Sequence, residues 1–295
     1  SNGTGSPAVY STADITVNNA KLVSNVASGI VIEGDNSVTL NSVDLYNSNT
    51  KANTKGEEAN YKNIFIYQST SGDAKEGTGT FTAKNSKITT TNGSTIFVTN
   101  TKALITLENN EITNTSENGL FLKASAARWG KEGSNGGTVT LNMINQYAEG
   151  DIVLDNISTL DLSMKSGSVL IGAINTDNTA KNISVKLSSD SVLSLTSNTY
   201  LSSLDNELSD NSNIYSNGKY KLYVDGKEVS INSETYNGEK PEVNVELTES
   251  KSTPNSVVEN NNNNYLIYII AGSSIVILGA ISVILIIKKN KKQNI

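Results

Sequence analysis

Apolar and polar residues alternate along this chain in short stretches that come in two kinds. One kind reads AVYS from Ala8, GIVIEG from Gly29, NIFIYQS from Asn63, TIFVTN from Thr95, GLFLKA from Gly119 and DIVLDN from Asp151. Between these lie DITVNNAKLVSN, SVTLNSVDLYNS, TFTAKNSKITTT, LITLENNEITNT and TVTLNMINQYAE. Period-2 alternation of β-branched residues, broken by Asn, Ser, Gly and Asp, predicts short strands. The pair of motifs returns roughly every 20 to 35 residues with no hairpin turn between copies, which predicts a solenoid. No long segment before Tyr265 shows a 3.6-residue period, so a helical domain is excluded, and a β-sandwich is the alternative architecture.

The alternation also assigns faces. Val38, Leu40, Val43 and Leu45 point inward, with Thr39 and Asp44 outward. Ile105, Leu107 and Ile112 repeat this, with Glu108 and Glu111 outside. In the other motif, Ile30 and Ile32, Ile64 and Ile66, Ile96 and Val98, and Leu120 and Leu122 point inward. The pairs Asn18-Asn19, Asn85-Ser86 and Asn109-Asn110 suit tight corners, because Asn tolerates left-handed dihedrals. Asp151 to Asn206 continues the pattern. KLYVDGKEVSI, from Lys221, reads as a hairpin with a type I′ turn at Asp225-Gly226, suited to closing the end of a solenoid.

Tyr265 to Ile287 is uncharged throughout and is followed by Lys288, Lys289, Lys291 and Lys292. At ~1.5 Å per residue this run is long enough for a helix to cross a ~30 Å hydrocarbon core. The lysines place the tail on the cytoplasmic side and the rest outside the cell. The expected organisation is a parallel β-helix over 1–206, a hairpin cap over 207–235, and a disordered polar linker over 236–264. A transmembrane helix over 265–287 and a basic cytoplasmic tail over 288–295 complete it. No export signal is visible at SNGTGSPAVY, so the β-helix is expected to be the C-terminal part of a longer solenoid.

Composition narrows the chemistry. The chain has no Cys and no His, which leaves no disulfide staples and removes the commonest general base and metal ligand. A net charge of −6, tail lysines included, argues against nucleic-acid partners. No Walker motif, dinucleotide fingerprint or Cys/His metal spacing occurs, so neither a metal nor any other cofactor is expected.

The stretches SPAVYSTADITV, WGKEGSNGGTVTL and GDIVLDNISTLDLSMKSGSVLIGAINTD resemble pectate-lyase-like right-handed parallel β-helix surface proteins of Gram-positive gut bacteria. The resemblance spans about Ser6 to Ser230. It implies an all-β, right-handed β-helix and an adhesin-like role, binding or presenting at the cell surface without catalysis. The sorting motif LPxTG is absent, which favours a retained membrane anchor. The alternatives are a truncated β-helix lyase or hydrolase and a purely structural stalk. Lyases of this fold, as the resemblance implies, use Arg or Lys beside acidic Ca²⁺ ligands. The lone arginine, Arg128, has only Glu132 near it in sequence, and no catalytic residues are assigned.

Two candidate binding features remain. The outward residues Val31, Phe65, Phe97, Phe121 and Val153 are expected to align in one column, with Tyr10 joining them. An exposed aromatic strip of this kind, at Tyr10, Phe65, Phe97 and Phe121, would bind a glycan or a host or bacterial surface protein. Alternatively, the insertions after Ser48, Ser69 and Ala124 fold over it. The second feature is Arg128 and Trp129 in a Gly-rich insertion, where Trp129 would cover a strand edge and Arg128 would pair with an acid.

Overall fold

The computed structural model describes residues 1–52 and 57–243, and these are all-β, with no α-helix and one 3-10 turn at Glu58–Asn60. Strands stack in parallel sheets, in register, as in a parallel β-helix. The long face has eight strands, one per coil: Asp14–Asn18, Ser37–Asn41, Thr78–Lys84, Thr101–Glu108, Gly137–Ile144, Thr159–Lys165, Asn182–Leu187 and Ser203–Asn206. The lead face precedes it in each of the first six coils: Val9–Ser11, Ile30–Glu33, Lys62–Tyr67, Ser94–Thr99, Leu122–Ala124 and Ile152–Leu154. The return face follows it as two stacks. Lys21–Ser24, Asp44–Asn47, Lys87–Thr90 and Glu111–Asn114 form one, and Tyr147–Glu149, Val169–Ile171, Val192–Ser194 and Ile214–Tyr215 the other. The expected linker from residue 244 onward, the helix over 265–287 and the tail over 288–295 lie outside the described residues. Among the described residues, no helix is long and apolar enough to cross a membrane.

The core is built of columns. Ile15, Val38, Phe81, Ile105, Leu141, Leu162, Val185 and Leu204 align through the long face. Each coil presents the same alternation at the same position, so every inward position falls on another inward position. The six central members are all but fully buried. Oppositely charged residues sit opposite one another on the outside: Lys84 pairs Glu108 at 2.7 Å and Lys87 pairs Glu111 at 3.1 Å. Exposed pairs of this kind contribute little each, ~0–1 kcal/mol.

The corner between the long and return faces carries a second kind of ladder. The corner residue is left-handed in each of the first five coils, with φ of 49° at Asn19, 53° at Ser42, 48° at Asn85, 52° at Asn109 and 46° at Asn145. This turns the next residue into the interior, and in the third to fifth coils its side chain accepts a backbone N–H from the coil before, as Ser168 does in the sixth. Val43 N donates to Ser86 Oγ (3.1 Å), Ser86 N to Asn110 Oδ1 (2.9 Å), Asn110 N to Gln146 Oε1 (2.9 Å) and Gln146 N to Ser168 Oγ (3.1 Å). These side chains are buried, so the ladder satisfies donors that would otherwise be stranded at the bend.

At the C-terminal end, Leu222–Val224 extends a parallel pair with Thr199–Leu201, and Lys227–Val229 turns back antiparallel to it. Asp225 and Gly226 both have positive φ, 50° and 71°, as a type I′ turn requires. The chain then adds Asn232 beside Tyr215 and runs back along the outside of the return face. The Tyr236 ring lies 5.3 Å from Tyr215, and Lys240 Nζ donates to Ile112 O and Thr113 Oγ1, both at 3.1 Å, in the fourth coil. Residues 236 to 243, expected as the start of a linker, are thus laid against the coils as a strap.

Replacing Asn110 by Ala strands the Ser86 N–H and the Ala83 carbonyl that Asn110 Nδ2 serves at 2.9 Å. Each stranded buried group costs ~1–3 kcal/mol. Asn109→Gly should be near neutral, because Gly adopts positive φ freely. Urea unfolding of the two variants checks the contrast.

Candidate functional site

The outer side of the lead face differs from that of the other sheets. Over the second to fourth coils its strands are buried on both sides, whereas strands of the long face alternate. Tyr10, Val31, Phe65 and Phe97 stand in register there, as the alternation predicts. The Phe65 and Phe97 rings stack at 5.6 Å and 10°, and Phe65 stacks on Tyr67 at 4.4 Å. Only Tyr10, at the end of the column, is exposed.

Phe121 is not in this column, which corrects the sequence expectation. Phe97 pairs with Lys123, and Val153 follows. Phe121 sits at a bend before the strand and is wholly buried in the main core, while Leu120 is only half-buried. Both Phe121 and Leu122 turn inward because the chain is not yet extended at Phe121, so the alternation starts at Leu122, two residues later than the apolar run suggests. The Lys123 ammonium then lies 5.5 Å from the Phe97 ring, its stem standing where a ring was expected.

Two insertions roof the column. Ala127 and Trp129, from the insertion after Ala124, pack onto Val31, Phe65, Tyr67 and Phe97. Trp129 tilts against Tyr67 at 5.4 Å, and the Arg128 guanidinium lies 4.1 Å from the Trp129 ring. Arg128 Nε meets Glu57 at 2.7 Å, and Glu57 belongs to the insertion after Asn47 on the opposite edge of the sheet. The roof is braced from within: Asn135 Nδ2 donates to the carbonyls of Ala127 and Trp129, both at 2.8 Å. Gly130 (φ 80°) is required there, since a Cβ would fall 2.0 Å from Asn100 Oδ1.

Under the roof lies a cavity of about 100 Å³, lined in part by Tyr10, Tyr61, Lys62, Tyr67, Arg128 and Trp129. Lys62 is 9% exposed and its ammonium rests 4.4 Å from the Phe65 ring. Burial lowers its pKa to about 8. Glu57 opposes that shift, and Arg128 and Lys123 add to it. Burial also lowers the pKa of Lys123, which donates to Asn60 Oδ1 at 2.7 Å. Beside the cavity, Tyr10 and Tyr67 both donate to Glu33 Oε2, and their hydroxyls are 2.9 Å apart. Burial first, and then the Glu33 contact, raises Tyr10 to about 12; Tyr67 is raised chiefly by burial. Both phenols therefore stay protonated at neutral pH.

A second concavity, of about 810 Å³, opens on the other side of the Trp129 loop. The third coil carries an insertion over 68–77 and the fifth one over 125–136. The fourth passes the same corner on Asn100 alone (φ 53°), leaving an open slot. Coils are ~4.8 Å apart, so the walls stand about 10 Å apart. Thr78, Lys102 and Thr138 align across its floor, and Gln68, Ser69 and Ser134 add polar walls.

Of the expected binding residues, the structure brings Tyr10, Phe65, Phe97, Arg128 and Trp129 to one place and sends Phe121 into the core. The insertions after Ser48 and Ala124 fold over the column, while the one after Ser69 walls the slot. Lys62, Glu57, Glu33 and Tyr67 were not singled out from sequence. The one available signal was the run KNIFIY, apolar at consecutive positions, which marks a strand buried on both faces. Among the described residues, no three His, Cys, Asp or Glu side chains gather as a metal site. Comparison with family models, curated proteins and solved structures finds no match for this chain.

Phe97→Ser should cost ~3–5 kcal/mol in urea unfolding, the range for emptying a buried aromatic site. Lys62 gives a pH signature. Its folded pKa is about 8, against ~10.4 when unfolded, so the unfolded chain binds more protons between those values and stability rises with pH there. Between pH 8 and 10 the wild type should gain up to ~1.4 kcal/mol per pH unit relative to Lys62→Met. Parallel denaturation curves for the two proteins check it. The tyrosines act in the opposite sense only above about pH 10.

Proposed function

We propose that this chain is a membrane-anchored, extracellular, adhesin-like β-helix protein that binds glycans at a cell surface without catalysis. The observation that carries the reading is the pairing of a roofed aromatic cavity with a polar slot, both built by one loop on a regular solenoid. Cavities lined by aromatic side chains with a few polar groups are the usual form of small-ligand sites. The slot is lined by hydroxyls and amides at coil spacing, which suits a hydroxyl-rich chain. A peptide finds less here, because both edges of the fourth coil's strands are already paired and offer no strand addition.

The anchor rests on the apolar run 265–287 and the lysines after it, as the sequence reads. Right-handed winding is the sense we assign to the coils, since parallel crossovers take that hand in ~98% of cases. Binding is favoured over turnover by the side chains themselves: Arg128 is engaged by Glu57 and the tyrosines are held protonated.

The test is a glycan array probed with the full chain in detergent, with supernatants assayed for released sugar. Retention on a subset of glycans without release is expected. Release of sugar supports the enzyme instead, and no retention on any glycan leaves the stalk.

A further inference from the structure

We infer that the roofed cavity takes the acidic end of a glycan, with the Lys62 ammonium receiving its carboxylate. This rests on the glycan-binding reading above. Lys62 is almost fully buried, yet none of the ion pairs among the described side chains includes it. Its ammonium leans on two rings, Phe65 at 4.4 Å and Phe97 at 5.7 Å, and lines an open space. Buried charges are ordinarily paired, and this one is left to cation–π contacts. The nearest acid acting on it, Glu57, is held by Arg128. The surroundings are otherwise cationic, with Arg128 in the roof and Lys123 on the fifth coil. An arriving carboxylate supplies the missing counter-charge.

The volume, about 100 Å³, decides how much of a ligand enters. Typical ligand pockets run ~300–1,000 Å³, so this one holds a single group and not a chain. Apart from Arg128 in the roof, the exposed residues of the cavity lining are Gly5, Tyr10 and Lys51, so the rest of the ligand leaves on that side. The slot beyond the Trp129 loop is a separate space. The slot has Glu76 along with Lys102 and Lys131, and its other lining residues are uncharged. Its net charge is therefore slightly positive, and it does not select against acidic units.

Protonation supplies a second handle. The groups facing Lys62 are Glu57 and Arg128 from the roof, Lys51 and Tyr61 on the cavity wall, Lys123 from the fifth coil, and the Tyr10, Tyr67 and Glu33 cluster beside the cavity. Lys62 must be charged to hold the carboxylate, so affinity should fall about tenfold per unit above pH 8. Tyr10 titrates at about 12, outside that window.

Trp129 is the only tryptophan, so its emission reports the site directly. The full chain in detergent is titrated with 3′-sialyllactose and with lactose at pH 7 and pH 9.5. The acidic sugar should bind at least tenfold more tightly at pH 7 and lose that advantage at pH 9.5. Lys62→Met should abolish the preference and leave lactose unchanged. Lys62→Arg should keep it without the pH dependence, and serves if the Met variant melts early. Lactose binding as well as sialyllactose at pH 7 overturns the inference while leaving glycan binding intact. An equal response to N-acetylglycine reassigns the cavity to carboxylates in general and overturns the sugar. Silence from both glycans overturns the glycan-binding reading itself.

Discussion

The structure depends on solving one problem at every coil: the backbone must turn sharply while its amide hydrogens stay out of water. The corner between the long and return faces does this with two adjacent residues of different duty. Asn85 bends the chain with φ of 48°, and Ser86 beside it accepts the Val43 N–H from the coil before. Asn109 and Asn110 repeat the division, as do Asn145 and Gln146. Because each acceptor serves the previous coil, the ladder also sets vertical register. Strands stacked on it cannot slip by one residue without emptying the polar column into the apolar one. That register aligns Phe65 over Phe97 and leaves the fourth coil bare between two insertions.

A solenoid held this way tolerates insertions, since they leave the repeat at the corners and return to it. The two roof-forming insertions arise on opposite edges of the lead face and meet over its middle through Arg128 and Glu57. The aromatic column is thus a floor and not a surface. The same rings that would make an exposed strip adhesive here support a lid and hold a lysine under it.

Much of this could be read from the chain because solenoid physics is local and repeated. Val38, Leu40, Ile105 and Leu107 alternate, and alternation alone sends them inward. The Asn pairs announce corners for an equally local reason. Phe121 shows where local reasoning ends. GLFLKA fits the pattern in two registers two residues apart, with Leu120 and Leu122 inward or Leu122 and Ala124 inward, and the structure takes the second, with the Phe121 ring buried at the bend before it. Lys62 is hidden for a different reason. Its burial is produced by segments distant in sequence, around residues 57 and 128, and a lysine at the start of a strand carries no mark of a roof it does not itself form. Residues 236 to 243 are polar and look like linker. Their placement comes from single side chains, Tyr236 and Lys240, finding partners some 20 and 130 residues back.

The strap changes how the solenoid carries load. Tension applied to the chain beyond residue 243 arrives first at Lys240, beside the fourth coil, and not at the terminal hairpin. While the strap holds, a pull between that point and the slot crosses one coil and spares the four beyond it. Once the strap peels, its attachments release singly, and the same pull passes through the fifth to eighth coils. The last residues of the described chain are thus placed to meet such a pull before the terminal coils do.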